Sequence, residues 1–213
     1  MTLPDIVQVL AHPVLRTAIT RLRICRRGYG AAQLLETIGS FLALEATREI
    51  ETANFPVVAR TGVDVMGCKL AESGALVPIM RTGNGLLMPF WRYLPDARVY
   101  HVLARRDEKT AVGRIIDSKV PEPLPKDVRT VFILDPMLAT GGSAEIVIKD
   151  VMRCNPERVV FASVFAAPEG VERLAETFPQ MRILIAQMDE RLNNDKFIIP
   201  GAGDLGDLLY GTT

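Results

Sequence analysis

The sequence predicts an α/β protein with a central, mainly parallel sheet that is flanked by helices. Short apolar runs such as GALVPIM (74–80), TVFILD (130–135) and RVVFASVFA (158–166) are typical of buried strands. Segments of about ten residues with helical apolar spacing alternate with these runs, and Pro or Gly marks several of their ends. Such alternation implies right-handed crossovers and a sheet covered on both faces, in one domain over residues 1–213.

The remaining elements follow in order along the chain. Pro13 suits the first turn of the first helix, and the second helix carries an apolar stripe at spacings of three and four. The predicted elements beyond the three strands above are helices at about 13–26, 31–51, 85–94, 142–153 and 168–178, and strands at 97–104 and 181–187.

The segment at about 104–127 does not fit this alternation, because it is charged and contains Gly113 and three prolines. Loops longer than about 12–15 residues inside a compact domain are usually functional or disordered. We therefore predict a flexible flap or hairpin here, with an irregular solvated loop as the alternative.

Composition limits the function classes. The 25 basic and 25 acidic residues cancel, which argues against a general nucleic-acid or membrane-surface role. Three widely spaced cysteines and two histidines offer neither a disulfide framework nor a zinc-ligand spacing. The start of the chain lacks the pattern of a signal peptide, so we expect a soluble cytoplasmic protein that binds no membrane.

The string VFILDPMLATGGS (131–143) predicts a sugar-phosphate site. Ligands of open α/β sheets bind beyond the carboxyl ends of strands, where Asp135 is expected. Thr140, Gly141, Gly142 and Ser143, here called the phosphate turn, lead into a helix N-terminus that favours an anion. A carboxylate for the hydroxyls beside amides for the phosphate suits a ribose 5-phosphate. The alternative is an ordinary strand and turn followed by a capped helix.

The string DPMLATGGS resembles the phosphoribosyl pyrophosphate (PRPP) signature of type I phosphoribosyltransferases, in the form used by uracil phosphoribosyltransferases. The resemblance extends over nearly the whole chain, with the family's blocks in matching order. These blocks are HP (12–13), LEAT (44–47), VPIMRTG (77–83), RDE (106–108), AAPEG (166–170) and IIPGAGD (198–204). It implies the type I fold, with the flap at about 104–127 and a C-terminal base-binding hood at about 197–213, here called the base-binding segment.

The resemblance also implies a set of site residues. For PRPP these are Arg81, Arg106, Asp135, Pro136, Met137, Leu138, Ala139, Thr140, Gly141, Gly142, Ser143 and Asp204, and for uracil they are Ile198, Gly203, Asp204 and Leu205. Arg81, Arg106 and Asp135 would stabilise charge in the transition state. Guanidinium groups suit a diphosphate because their fork pairs with two oxygens. Mg2+ is expected as a cofactor held through substrate and water, without a direct protein ligand.

The tail contains a literal G-x-G-x-x-G at Gly201, Gly203 and Gly206. A dinucleotide site is not predicted, because no useful helix can follow before Thr213 and the acidic residue about 20 positions later cannot exist. A loop rich in exposed main-chain groups instead suits a flat polar ring such as uracil. A flexible tail is the alternative.

The resemblance implies the conversion of uracil and PRPP to UMP and pyrophosphate, in pyrimidine salvage. Two alternatives stay open. The first is a phosphoribosyltransferase for another base, because the chain departs from the family's pattern at Thr82, Asn84, Phe197 and Leu205. The second is a non-catalytic binder of PRPP or nucleotide that regulates pyrimidine metabolism. Family members often form homodimers or homotetramers, and some are activated by GTP.

Residues outside these blocks receive simpler interpretations. His12 is predicted to be structural or at an interface, and His101 a satisfied core side chain. Aromatic residues, including Trp91 and Phe197, are predicted in the core or an interface. Five arginines within 12 residues are expected to form a solvated face, a subunit contact or an effector-phosphate site: Arg16, Arg21, Arg23, Arg26 and Arg27.

Overall fold

The computed structural model describes residues 3–106 and 113–212, except for the side chains of Arg105 and Arg106. Within these ranges the chain forms six helices and thirteen strands. The strands are β1 (Val7–Val9), β2 (Thr52–Val58), β3 (Asp64–Leu70), β4 (Ala75–Met80), β5 (Arg98–Val99), β6 (Val102–Arg106), β7 (Gly113–Ser118), β8 (Thr130–Leu134), β9 (Met137–Leu138), β10 (Arg158–Ala166), β11 (Arg182–Met188), β12 (Arg191–Leu192) and β13 (Ile198–Ile199).

Nine of the described strands form one sheet in the order β1-β11-β10-β8-β4-β6-β7, with β5 beside β4 and β9 beside β10. Each pair in this sheet is parallel apart from the antiparallel pair of β6 and β7. Strands β8 and β10 lie at its centre and are almost wholly buried, as their continuous apolar sequences predict. The predicted α/β class with a mainly parallel sheet is confirmed.

Helices cover both faces of the sheet. They are α1 (Pro13–Ile24), α2 (Tyr29–Ala46), α3 (Asn84–Tyr93), α4 (Gly142–Arg153), α5 (Pro168–Thr177) and α6 (Leu205–Tyr210). One core cluster joins α1, α2 and α3 to one face, and a second joins α4 and α5 to the other. Pro13 and Pro168 occupy the first turns of α1 and α5, where a missing N–H costs no helical hydrogen bond.

Several local predictions need correction. The strand predicted at 97–104 is divided into β5 and β6, and His101 lies exposed between them instead of in the core. Phe197 and Trp91 are 45% and 40% exposed, so of the two predicted places, core or interface, the core is excluded. His12 does have a structural role, since its Nδ1 caps α1 by accepting a hydrogen bond from the Val14 N–H at 3.2 Å.

Two hairpins extend the architecture. β6 and β7 pair within the segment predicted as a flap or hairpin, and the connection between them, 107–112, lies outside the described residues. The second hairpin was not predicted; in it, β2 and β3 form a separate two-stranded sheet. In the described part of the chain, no helix has the length and apolar character that crossing a membrane would need.

Candidate active site

The site begins where the central strand β8 ends, at Asp135. The backbone leaves the ladder here, because the N–H groups of Val164 and Phe165 both donate to the Pro136 carbonyl, at 3.1 and 2.9 Å. The chain then rejoins β10 through β9. This break directs Asp135 to the carboxyl edge of the sheet, as its position in the sequence predicts.

Asp135 is a buried carboxylate with few internal partners. It is 8% exposed, and its Oδ1 accepts a hydrogen bond from the Met137 N–H at 3.3 Å. Burial raises the pKa of Asp135 to about 7, and the single backbone hydrogen bond offsets only part of this effect. A carboxylate in this state gains from any ligand that donates hydrogen bonds to it.

The phosphate turn follows β9 and begins α4. Gly141 has a φ of 76°, in the left-handed region that glycine adopts without steric cost. Gly142 N–H makes a long contact of 3.4 Å to Thr140 Oγ1, within the turn. Because α4 starts at Gly142, the turn lies at the positive end of its helix dipole. The predicted order of strand, turn and helix is therefore observed.

A cavity of about 270 Å3 opens beside Asp135. It brings together residues from the two loops that were predicted to hold different parts of the substrate. Its lining residues are Thr82, Asp135, Met137, Ala139, Lys196, Phe197, Ile198, Gly203, Asp204 and Leu205. All four residues predicted for uracil therefore face the same space as Asp135.

The base-binding segment is packed against the body of the protein. Leu205 is 1% exposed and Ile198 is 3% exposed, and both belong to the core cluster beneath α1–α3. Asp204 caps α6, since its Oδ1 accepts the N–H groups of Gly206 and Asp207 at 2.8 and 3.1 Å. The alternative of a flexible tail does not fit this packing, and the third glycine of the pattern, Gly206, lies inside the six-residue α6.

Arg81 lies at the same edge, directly after β4, and its preceding peptide bond is cis. Its Nη1 donates to Thr212 Oγ1 at 3.5 Å, and its carbonyl accepts from the Tyr210 hydroxyl at 3.0 Å. The predicted diphosphate residue thus contacts the end of the base-binding segment. Arg106 ends β6, but its side chain lies outside the described residues.

Not every predicted PRPP residue reaches the cavity. Leu138 is 1% exposed and packs in the core beneath α4 and α5, while its backbone pairs with β10. Pro136 is buried, and its carbonyl is used by β10. The structure therefore separates these two from the cavity that Met137 and Ala139 line, because side chains alternate between the two sides of an extended segment.

Two charged residues that support the base-binding segment were missed as site residues. Arg23 was predicted to belong to a basic surface, yet it forms an ion pair with Asp189, whose side chain is 1% exposed. Both residues also bond to the backbone of Gly201, in the middle of the base-binding segment. Their separation of 166 positions left no local signal for the pair.

A second cavity, of about 480 Å3, adjoins the phosphate turn at Thr140. Its remaining lining residues come from α5 and from the loop between β12 and β13: Glu169, Arg173, Leu192, Asn193, Asn194 and Lys196. Lys196 lines both cavities and thus lies at their junction.

Comparisons with known proteins agree with this geometry. A family model described as "Uracil phosphoribosyltransferase" matches residues 9–212. The uracil phosphoribosyltransferase of Salinibacter ruber is 39% identical over 213 residues, which cover 97% of each chain. That of Staphylococcus epidermidis is 36% identical over 211 residues, covering 97% of this chain and 98% of its own.

Solved structures give a matching result. The AQ2163 protein of Aquifex aeolicus superimposes with a TM-score of 0.89 at 33% identity, covering 97% of this chain and 99% of its own. A hypoxanthine-guanine phosphoribosyltransferase from Bacillus anthracis shares the fold at 11% identity, with a TM-score of 0.50 over 76% of this chain and 80% of its own.

Proposed function

The chain belongs to the uracil phosphoribosyltransferase family, and from this membership we propose that it transfers the phosphoribosyl group of PRPP to uracil, in pyrimidine salvage. One observation supports this most directly: Asp135 and the uracil-loop residues Ile198, Gly203 and Leu205 line one cavity. A pentose held at Asp135 would have its anomeric carbon next to a base held by that loop. The products would be UMP and pyrophosphate.

The phosphate turn would bind the 5-phosphate of PRPP. Its backbone N–H groups and the dipole of α4 favour an anion, and the Thr140 and Ser143 hydroxyls add donors. Asp135 would accept hydrogen bonds from the ribose hydroxyls. Met137 and Ala139, which lie between Asp135 and the turn in the sequence, line the cavity of Asp135. The sugar would thus be held at both ends of one short loop.

The base would lie against the base-binding segment. Exposed main-chain groups near Gly203 complement the alternating donors and acceptors at the edge of uracil, and Leu205 with Ile198 supplies an apolar surface. Binding the base and sugar side by side allows positioning to contribute roughly 7–11 kcal/mol to the lowering of the barrier.

The chemical step would need little covalent participation by the protein. The bond from the anomeric carbon to the pyrophosphate oxygen breaks, and a bond to a ring nitrogen of uracil forms on the opposite face with inversion. That nitrogen loses its proton, which passes to the departing pyrophosphate or to water. The electron pair of the broken bond leaves with pyrophosphate. Arg81, at the carboxyl end of β4, and Arg106 would stabilise the charge on that leaving group.

Magnesium fits the donor set of this cavity as a substrate-bound ion. Asp135 and Asp204 line the cavity, and no group of three or more metal-ligating side chains occurs in residues 3–106 and 113–212. Mg2+ keeps several waters and is usually held by few carboxylates together with substrate phosphates. The two carboxylates would accept hydrogen bonds from its waters. When bound, the ion would neutralise charge on the diphosphate.

We also propose that the protein is a homo-oligomer, starting from a homodimer. The β2–β3 hairpin forms its own sheet and exposes Val58, Val63 and Met66 at 70%, 58% and 68%. A lone two-stranded hairpin is marginally stable in water, and apolar residues on it gain from being covered. A second copy of the chain is the proposed partner. Tetramers would need a further contact.

Two further proposals concern regulation and location. GTP as an effector is supported by three exposed arginines on and after α1, Arg16, Arg21 and Arg26, which could bind its phosphates. A cytoplasmic location is proposed because PRPP is a highly charged, labile metabolite that does not cross membranes unaided. Stimulation of turnover by GTP, and its loss on replacing Arg16 and Arg21, would test the first.

The deciding experiment incubates the purified protein with PRPP, Mg2+ and each free base, and measures pyrophosphate and nucleotide. UMP formation with uracil is the expected result. Product with another base instead would assign a different phosphoribosyltransferase. Ligand binding without product would favour the non-catalytic regulator.

A further inference from the structure

Lys196 has an unusual backbone conformation for its residue type. Its φ is 67°. Within residues 3–106 and 113–212, the only other non-glycine residue with a positive φ is Asn155. The left-handed region is sterically unfavourable for an L-residue with a long side chain, whereas Asn tolerates it better. Such conformations persist where the surroundings impose them, and they cluster at functional sites.

The surroundings that impose this conformation are visible in the loop between β12 and β13. The Lys196 N–H donates to the Asn193 carbonyl at 3.0 Å, and the next N–H, of Phe197, donates to Asn193 Oδ1 at 2.8 Å. The loop closes on itself through these bonds and delivers Ile198 to β13 in register with Leu192. A glycine would serve this backbone better than lysine, so the turn alone does not account for the lysine side chain.

The position of Lys196 gives its side chain access to two cavities. It lines the cavity of Asp135 and also the cavity that adjoins Thr140 of the phosphate turn. The residue is therefore at the junction between the space for the sugar and the space beside the phosphate turn. Its exposed ammonium has a long flexible stem with which to reach either space.

The other charged residues around the second cavity already have hydrogen-bond partners. Arg173 Nε donates to Glu145 Oε2 at 2.5 Å, and Glu169 Oε1 accepts from the Leu192 N–H at 2.9 Å. In the described part of the chain we find no ion pair made by Lys196. The ammonium of Lys196 is thus available to an anionic ligand, while the guanidinium of Arg173 is largely neutralised.

We propose that Lys196 is a further substrate-binding residue, whose ammonium contacts the 5-phosphate of the ribosyl substrate held on the phosphate turn. This inference rests on the proposed function for the presence of that ligand. The turn supplies neutral amide donors and a helix dipole, and Lys196 adds a full positive charge from the opposite loop. The contact would tie the base-binding segment to the phosphate and so join the two halves of the site.

The test uses the difference between the backbone and the side chain of this residue. In Lys196→Gly the charge is lost, but the left-handed conformation is relieved. We therefore expect about 5- to 20-fold weaker binding of UMP. Hydrogen bonds to charged groups contribute more free energy than those between neutral groups, whereas exposed ion pairs contribute little, so an intermediate loss is expected. Affinity for uridine, which lacks the phosphate, should not change. The melting temperature should stay the same or rise, which excludes misfolding as the cause.

Three companion variants sharpen the result. Lys196→Asn keeps a residue that tolerates the conformation but lacks the charge, and it should match the glycine variant. Lys196→Arg should retain most of the UMP affinity. Asn155→Gly is the matched backbone control, because it relieves the other left-handed residue far along the chain. It should leave the affinities for UMP and uridine unchanged.

Steady-state kinetics provide a second measurement. Lys196→Gly should raise KM for PRPP by a similar factor and leave KM for uracil within about twofold of the wild-type value. The difference in KM for PRPP between the two proteins should become smaller at high ionic strength. Unchanged UMP binding in an active protein, or an equal loss of affinity for UMP and uridine, would overturn the role of Lys196 alone. A wild-type protein that forms no UMP would overturn the proposed function, and this inference with it.

Discussion

Arg23 and Asp189 form a bidentate ion pair that binds the backbone of the base-binding segment. Arg23 Nη1 lies 3.0 Å from Asp189 Oδ2, and Nη2 lies 2.5 Å from Oδ1. The Gly201 carbonyl accepts from Arg23 Nη1 at 2.5 Å, and the Gly201 N–H donates to Asp189 Oδ2 at 2.9 Å. Both backbone groups of Gly201 are therefore held by one charged pair.

Two further features fix this arrangement: a contact of Arg23 with an aromatic ring and the backbone conformation of Gly201. The Arg23 guanidinium carbon lies 4.7 Å from the centroid of the Phe165 ring, on β10. Gly201 has a φ of 56°, and a Cβ there would come within 2.2 Å of the Ile198 carbonyl oxygen. The loop can therefore turn this tightly only with glycine at position 201, and the ion pair sets where the turn lies relative to the sheet.

We expect Arg23→Lys to raise KM for uracil by about tenfold while KM for PRPP changes less than about threefold. Lysine keeps the charge, but its single ammonium nitrogen cannot reproduce the paired bonds that Nη1 and Nη2 make to the two oxygens of Asp189. Among the described residues, the hydrogen bonds and the ion pair of Arg23 and Asp189 do not involve the phosphate turn. Arg21→Lys, two residues earlier and exposed, is the matched control. An equal rise in both KM values would contradict a role specific to the base.

Removing the other partner tests stability. Asp189→Ala should lower the free energy of unfolding by about 3 kcal/mol, because it leaves a partly buried guanidinium without its carboxylate and the Gly201 N–H without an acceptor. Chemical denaturation would measure this loss. A double variant that also replaces Arg23 with methionine should recover part of it, and failure to recover any would contradict the coupling.

Asp135 should make PRPP use pH-dependent. Its pKa is raised to about 7 by burial, and only the ionised carboxylate accepts hydrogen bonds from both ribose hydroxyls. We expect kcat/KM for PRPP to fall as pH drops below about 7. Asp135→Asn should lower it about 100-fold at pH 8 and flatten the profile, apart from the titration of PRPP itself, which both proteins share. The other charged residues that line this cavity, Asp204 and Lys196, are the same in both proteins, so the difference between the two profiles reports on Asp135.

The same group predicts a pH dependence of stability. The pKa of Asp135 is about 7 in the folded state against the ordinary 3.8, so the folded state binds a proton that the unfolded state lacks between these values. Its contribution to the free energy of unfolding therefore decreases as pH rises from about 4 to 7, and then levels off. Asp135→Asn lacks this dependence and should gain stability relative to the wild type at pH 8, but not at pH 4. Denaturation at the two pH values would check the sign.

Leu205 should influence which base is accepted. It is 1% exposed and lines the cavity of Asp135, so Leu205→Ala enlarges the space for the base. We expect about 2–4 kcal/mol of lost stability and a rise of about fivefold or more in the relative kcat/KM for 5-substituted uracils. Leu208→Ala, on the same helix but away from the lining, should not alter the preference. The same preference in both variants would contradict the role of Leu205.

The β2–β3 hairpin should carry the dimer contact. Met66→Glu places a charge on a residue that is 68% exposed, so the chain itself should fold normally. We expect the variant to be monomeric at micromolar concentration by light scattering, where the wild type is dimeric, because a buried unpaired carboxylate is costly. Leu44→Glu, at a 52% exposed position on α2, serves as the control. A dimeric Met66→Glu protein would place the interface elsewhere.

Much of the fold and the position of the site could be predicted from local sequence. Strands β8 and β10 are continuous apolar runs, and the string from Asp135 to Ser143 is a strand end, a glycine turn and a helix start within nine residues. Family membership predicted from these blocks is confirmed. These features are local, because backbone conformation and hydrophobic period depend on neighbouring residues.

Tertiary structure alone decided the rest. In the sequence, Arg23 is one of several arginines typical of a protein surface. Its role appears only in the fold, where α1 packs beside Asp189, 166 positions later in the chain. The β2–β3 hairpin is mostly exposed, so burial imposes little alternation of apolar and polar residues on its strands. Leu138 lies within the predicted PRPP motif but is a core residue. The sequence by itself determined which chemistry the chain carries, since that depends on residue types in a short stretch. Which charges meet, and which carboxylate is buried enough to change its pKa, depended on packing between distant segments, whose energies no local pattern records.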